Sequence, residues 1–258
     1  FAALVSCDQQ GMNGETHPMD RLSDDKAGEI VRKAIEYAGG WDTWGKKENF
    51  SFYKKITQVD SAGAVIKTTR QLHQYSMGIG FQGRMTWTVN EDEFIIVNTG
   101  EESRKYKNGS ELTDDKSKNE AWNSSFGSHY VISMPFKLTD PGTILTYDGI
   151  DAETLHKPVH AVKVNYEKGA GSTGGMHTWW YYFDIENYDL LGNYLDYGKG
   201  QSLTTYETFT EVEDIRLHLK RYSYASNKKK EKVMLKTIYE NEEMMFDNQI
   251  DKSTFQLL

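Results

Sequence analysis

The sequence predicts a mainly β (α+β) fold, a curved antiparallel half-barrel sheet wrapped around an N-terminal helix. Three observations carry this. Stretches that alternate in strand fashion follow one another from residue 50 to residue 239, separated by turn residues. One strongly striped helical segment precedes them. The composition favours strands, with 16 Tyr, 11 Phe and 6 Trp against 4 Pro. Sequential hairpins and a single apolar-faced helix are satisfied together when the sheet curls over the helix.

Residues 8–25 (DQQGMNGETHPMDRLSDD) show no apolar periodicity and read as a polar tether, about 60 Å long at full stretch. A helix is expected over 26–38. Ser23, Asp24 and Asp25 offer capping oxygens, and Ala27, Ile30, Val31, Ala34, Ile35 and Ala38 fall on one stripe. Gly39-Gly40 ends it. Trp41 and Trp44 stand three apart, so a short second turn can present both rings to one neighbour. Strands are expected over 50–59 and 64–75, around Asp60-Ser61-Ala62-Gly63, and over 84–89 and 94–98, around Asn90-Glu91-Asp92-Glu93. Residues 113–134 break the rhythm and read as a helical or irregular insertion. Strands resume at 143–147, 160–166, 177–185, 190–197, 204–212, 215–224 and 233–239. No interdomain linker interrupts residues 26–258, which are expected to form one domain.

At the other end of the chain, Leu4-Val5-Ser6-Cys7 matches the pattern read by bacterial lipoprotein processing. A small Ser6 passes the peptidase, and only a thiol forms the thioether to diacylglycerol. Residues 1–6 are then a signal-peptide remnant, and Cys7 is the lipidated residue. Cys7 is also the sole cysteine, so it has no disulfide partner within the chain. The alternative is a buried free cysteine. Lipidation makes the membrane a partner through an N-terminal anchor and places the chain in the bacterial envelope, on the outer membrane facing the periplasm. No stretch approaches the ~20 apolar residues of a membrane-spanning helix. A formal charge of -8 argues against nucleic acid as a partner.

Motifs for chemistry are weak. Gly78-Ile79-Gly80-Phe81-Gln82-Gly83 matches G-x-G-x-x-G, but the strand-like residues after it offer no helix N-terminus to a pyrophosphate. The glycines read as a bend or bulge. His156 and His160 have a helical metal spacing, yet Pro158 lies between them, and on one strand they would be about 13 Å apart. No metal and no cofactor are expected. There is no G-x-S-x-G elbow, and the Ser128-His129 adjacency carries no triad meaning, so no catalytic residue is proposed. Asp184, Glu186 and Asp189 read as solvated turn residues. Lys228-Lys229-Lys230 reads as an exposed hairpin tip. The segment His177-Thr178-Trp179-Trp180-Tyr181-Tyr182-Phe183 is the best binding surface. Alternation puts Trp179, Tyr181 and Phe183 on one face and Trp180 and Tyr182 on the other, so something must cover each side. Trp87 is a weaker member of the same set.

Three stretches resemble a family of uncharacterised bacterial lipoproteins with a LolA/LolB-like half-barrel fold. They are EIVRKAIEYAGGWDTWGKKENFSF (29–52), MPFKLTDPGTILTYDG (134–149), and WWYYFDIENYDLLG (179–192) together with NEEMMFDNQIDKSTFQL (241–257). The resemblance implies a sheet curled over a helix, enclosing an apolar cavity that holds acyl chains in the named carriers. It implies no catalytic residue. The expectation is therefore a non-enzymatic, membrane-anchored envelope lipoprotein. It would bind a lipid or lipid-linked group between sheet and helix, with Trp179, Tyr181, Phe183 and Trp87 lining the site. The alternative is an accessory subunit docked on an envelope protein partner, as part of an outer-membrane complex.

Overall fold

The computed structural model describes residues 16–77, 81–171 and 174–258. Cys7, the 1–6 remnant and most of the expected tether lie outside them, as do Gly78 and Gly80 of the glycine motif. Ordered packing begins before residue 26. A one-turn helix, Pro18–Arg21, leads into Leu22, which is buried in the core.

Helix α1 (Lys26–Tyr37) buries the stripe that the sequence displays: Ala27, Ile30, Val31, Ala34 and Ile35. The Asp25 carboxylate caps it by accepting from the Gly28 N–H at 2.9 Å, and that hydrogen bond holds the carboxyl below its usual range. The far end is fixed to the sheet, because the Arg216 N–H donates to the Ala38 carbonyl at 3.0 Å. Gly39 makes this approach possible. It has φ +114°, and a Cβ there would lie 2.1 Å from the Asp214 carbonyl oxygen. The turn α2 (Trp41–Trp44) delivers both indoles to one partner, as the spacing predicts. Trp44 stacks on Phe136 at 4.5 Å, and Trp41 meets the same ring at 6.3 Å.

The strands are β1 (Asn49–Val59), β2 (Val65–Ser76), β3 (Gln82–Val89), β4 (Asp92–Asn98), β5 (Ser103–Lys107), β6 (Ser110–Glu111), β7 (Thr143–Asp151), β8 (Val159–Tyr166), β9 (Thr178–Asp184), β10 (Leu190–Asp196), β11 (Gln201–Val212), β12 (Ile215–Ser226) and β13 (Lys232–Phe246). They form one antiparallel sheet in the order β6-β5-β4-β3-β2-β1-β13-β12-β11-β10-β9-β8-β7. Two meanders thus meet where the first strand pairs with the last, Phe50 opposite Phe246 and Gln58 opposite Thr237. The insertion at 113–134 is helix α3 (Asp115–Ile132), capped by Asp114 and laid over β3, β4 and β5. Strands β5 and β6 fall where no strand is expected from sequence.

The main core lies on the inner face, where α1 and the segments after α3 meet Phe50, Phe52, Val162, Val164, Ile215 and Leu217. The outer face is covered locally. The C-terminal residues cross β3–β5, with Leu257 against Ile95, Val97 and Tyr106.

Candidate functional site

The helices fill the inner face unevenly. Beyond them β1, β2, β3, β4 and β13 continue toward the hairpin tips and leave an open groove of about 390 Å³, with α3 as one wall. Its apolar lining comes from Ile56, Met85, Trp87 and Ile96. Met85 and Ile96 pack with Ala121 of α3, and Trp87 stacks on Phe94 at 5.5 Å, so this surface is backed by fixed neighbours.

Strand parity explains the polar part. Phe50, Phe52, Lys54 and Ile56 share the inner face of β1. The phenylalanines enter the core, and Lys54 arrives at the groove only 8 % exposed. Its ammonium donates to the Ser128 hydroxyl of α3 at 3.0 Å and stands 5.2 Å from the centre of the Tyr239 ring. Ser128 also hydrogen-bonds the Tyr75 hydroxyl, which lies 2.7 Å from His73 Nδ1. His73 Nε2 lies 3.2 Å from the Gln71 amide oxygen. This polar chain ties the groove floor to the core. Burial, helped by the Lys54 charge, holds His73 well below the usual histidine range, and burial pushes Tyr75 up. Arg221 of β12 stands against the other groove residue, its guanidinium 4.8 Å from the Tyr239 ring centre. Burial and, after it, the Arg221 charge bring Lys54 down to about 7.

The candidate residues from sequence fall in separate places. Tyr181 and Phe183 are buried in the main core, and Trp179 packs against it, stacked on Tyr181 at 6.0 Å. Trp180 and Tyr182 lie on the outer face with Val159, Ala161, Tyr194 and Leu203. That face has its own cover. Leu155, from the connection between β7 and β8, packs on it, and Lys230 reaches over it, 4.8 Å from the Trp180 ring centre and 5.7 Å from that of Tyr182. Lys230 is thus not part of a freely exposed tip: burial lowers its pKa, and Asp148 and Asp151 each lie 3.9 Å away. Trp87 lines the groove, apart from the other three.

Most of the remaining chemical candidates are taken up in structural contacts. His156 sits in a loop with φ 56°, whereas His160 is on β8, stacked on Tyr188 at 5.7 Å. Ser128 faces the groove, while the His129 ring is packed between Tyr75 and Phe81 and held neutral by burial. Asp184 accepts from the Glu186 N–H and pairs with Lys157, and Asp189 pairs with Arg216. Among the described residues, no three His, Cys, Asp or Glu side chains converge as a metal site. Sequence reasoning did not single out Lys54 or Arg221, and it weighed Ser128 only as a triad member beside His129. The available signal was a charged residue in register with Phe50 and Phe52 on an apolar strand face.

A family model matches residues 21–252. The chain belongs to DUF6503, a family of unknown function. No functionally curated protein matches it. This DUF6503 chain has a LolA-like fold. A LolA superfamily protein from Nitrosomonas europaea superposes with a TM-score of 0.58 at 10 % identity, covering 89 % of this chain and 97 % of that one. A DUF1329 family protein from Desulfovibrio piger gives 0.60 at 9 % identity, covering 90 % and 98 %. A Vibrio parahaemolyticus domain named for outer membrane lipoprotein sorting gives 0.54 at 9 % identity, covering 88 % and 94 %. At these identities the likeness is one of fold.

Proposed function

We propose that this DUF6503 chain is an envelope lipoprotein that binds a lipid or lipid-linked group in the inner-face groove and catalyses no reaction. Cys7 carries the anchor, on the outer membrane facing the periplasm. The observation that supports this reading is the groove itself: an open cavity of about 390 Å³ on the concave side of a LolA-like sheet, with an apolar patch of Ile56, Met85, Trp87 and Ile96 set in a mostly polar lining. Acyl surface laid against Ile56, Met85, Trp87 and Ile96 gains roughly 25 cal/mol per Å² removed from water. Of the four aromatic candidates, Trp87 contacts the ligand directly. Trp179, Tyr181 and Phe183 serve the site from the core that holds α1 on the sheet. Native mass spectrometry of the protein purified from its own host, then re-exposed to envelope lipid extract, tests the proposal. A stoichiometric adduct is expected in the parent and absent in Thr237→Trp, which fills the groove. A clean apo mass after exposure, or an adduct undiminished by Thr237→Trp, sinks it.

One observation favours the accessory-subunit alternative. Val65, Ile66 and Val233 are more than 60 % exposed on the adjacent hairpins at the groove mouth. Crosslinking in intact cells from Ile66 to one envelope protein, with no adduct in the groove, would select it.

A further inference from the structure

Several buried or half-buried cations in this protein are answered by carboxylates. The Lys137 side chain, 9 % exposed, pairs with Asp140 at 2.6 Å. Lys105, at 10 %, pairs with Glu120 at 2.9 Å, and Lys47, at 11 %, with Glu213 at 2.7 Å. Arg216 pairs with Asp189 at 2.7 Å. Lys54 and Arg221 are not so answered. At 8 % and 7 % exposed they are as deeply buried as the three lysines and more so than Arg216, and among the described residues no carboxylate forms an ion pair with either. The Arg221 Nε is buried with no hydrogen-bond partner. Removing a charge from water without pairing it is costly, and a chain of net charge -8 has acids to spare. What surrounds the two cations is neutral: Ser128 on Lys54, Tyr206 hydrogen-bonded to Arg221, and Tyr239 against both. His73 and His218 are held uncharged by burial. Glu120, the acid of the groove lining, is already taken by Lys105.

We propose that the groove is built for an anionic amphiphile, whose headgroup is held by the Lys54 ammonium with Arg221 behind it, while its chain lies on Ile56, Met85, Trp87 and Ile96. The missing carboxylate is then supplied by the ligand. Two of its oxygens can accept from Lys54 and Ser128, which already sit within hydrogen-bonding distance of each other and line the same cavity. Arg221 does not line the groove and acts through the field it adds beside Tyr239. This inference rests on the groove being the binding site and adds the charge of the ligand to it.

Calorimetric titration of the full chain with decanoate, decyl phosphate, decanol and inorganic phosphate, the anionic amphiphiles below their micelle concentrations and decanol below its solubility, separates the two claims. Both anionic amphiphiles are expected to bind about 10- to 100-fold tighter than decanol, the range of one charge-assisted hydrogen bond. Lys54→Gln abolishes that preference, and a far-UV circular dichroism spectrum matching the parent's shows that the variant is folded. Lys54→Arg retains the preference, and Arg221→Gln weakens it by a smaller factor. Equal affinity for decanol and the anions overturns the charge assignment while leaving the groove reading intact. A preference that survives Lys54→Gln places the anion elsewhere and overturns it too. Inorganic phosphate binding as tightly as decyl phosphate overturns the amphiphile, and binding of none of the probes overturns both claims.

Discussion

Replacing Lys54 by methionine is expected to make the protein more stable at slightly acidic pH. The side chain keeps its length and loses its charge. Folding takes this amine from its usual 10.5 to about 7, chiefly through burial. At about 1.4 kcal/mol for each tenfold change in proton concentration, that interval bounds the cost of the buried charge at roughly 5 kcal/mol. Against the gain stand the hydrogen bond to Ser128, about 1 kcal/mol, and the contact with Tyr239, about 0.5–1 kcal/mol. A net stabilisation of roughly 1–3 kcal/mol at pH 6 remains, in keeping with buried ion groups replaced by apolar ones. The pH dependence has a definite sign. The folded state binds this proton more weakly than the unfolded chain, so the cost is complete below about 7 and fades between there and 10.5. Urea unfolding at pH 6 and pH 10 reads it directly, through a shifted midpoint at unchanged slope. The advantage of the methionine variant should be large at pH 6 and nearly gone at pH 10. The groups facing the amine from neighbouring elements are Arg221, Tyr239, His73, Gln71 and Ser128, with Glu120 further along the same wall. A variant less stable than the parent by the same amount at both pH values would refute the reasoning, because Lys54 would then be an ordinary structural residue.

Two further substitutions test the frame around the groove. Phe136→Ala removes the ring on which both Trp41 and Trp44 pack and should cost about 3–5 kcal/mol in urea unfolding; a cost under about 1 kcal/mol would contradict the packing. Lys230→Ala uncovers the outer aromatic cluster, so a loss of roughly 0.5–2 kcal/mol and a red-shifted tryptophan emission from Trp180 are expected. An unchanged emission would mean that Lys230 does not shield that ring.

Much of the frame was legible because its signals are periodic. The Ala27–Ile35 stripe, the Trp41 and Trp44 spacing and the alternation of β9 each follow from backbone geometry, and all three appear in the structure. Strand β5 (SRKYK) was not legible. Its residues carry no alternating apolar pattern, and it is a strand because β4 pairs with it and Lys105 meets Glu120 of α3. The groove failed to show for a related reason. Lys54 shares a face with Phe50 and Phe52, which is visible in the sequence, but whether an acid answers it depends on α3, β12 and β13, remote in the chain. The aromatic segment on β9 drew attention because its rings are large and contiguous, and most of that bulk serves as core.

The central claim is that the inner-face groove holds an amphiphile, and site-resolved photolabelling tests it most directly. A decanoate bearing a diazirine at its chain terminus, irradiated with the full chain and followed by peptide mass spectrometry, should label Ile56, Met85, Trp87 or Ile96. An excess of unlabelled decanoate should remove that label. Labelling spread over the surface, or confined to the exposed hairpin residues Val65, Ile66 and Val233, would contradict the claim.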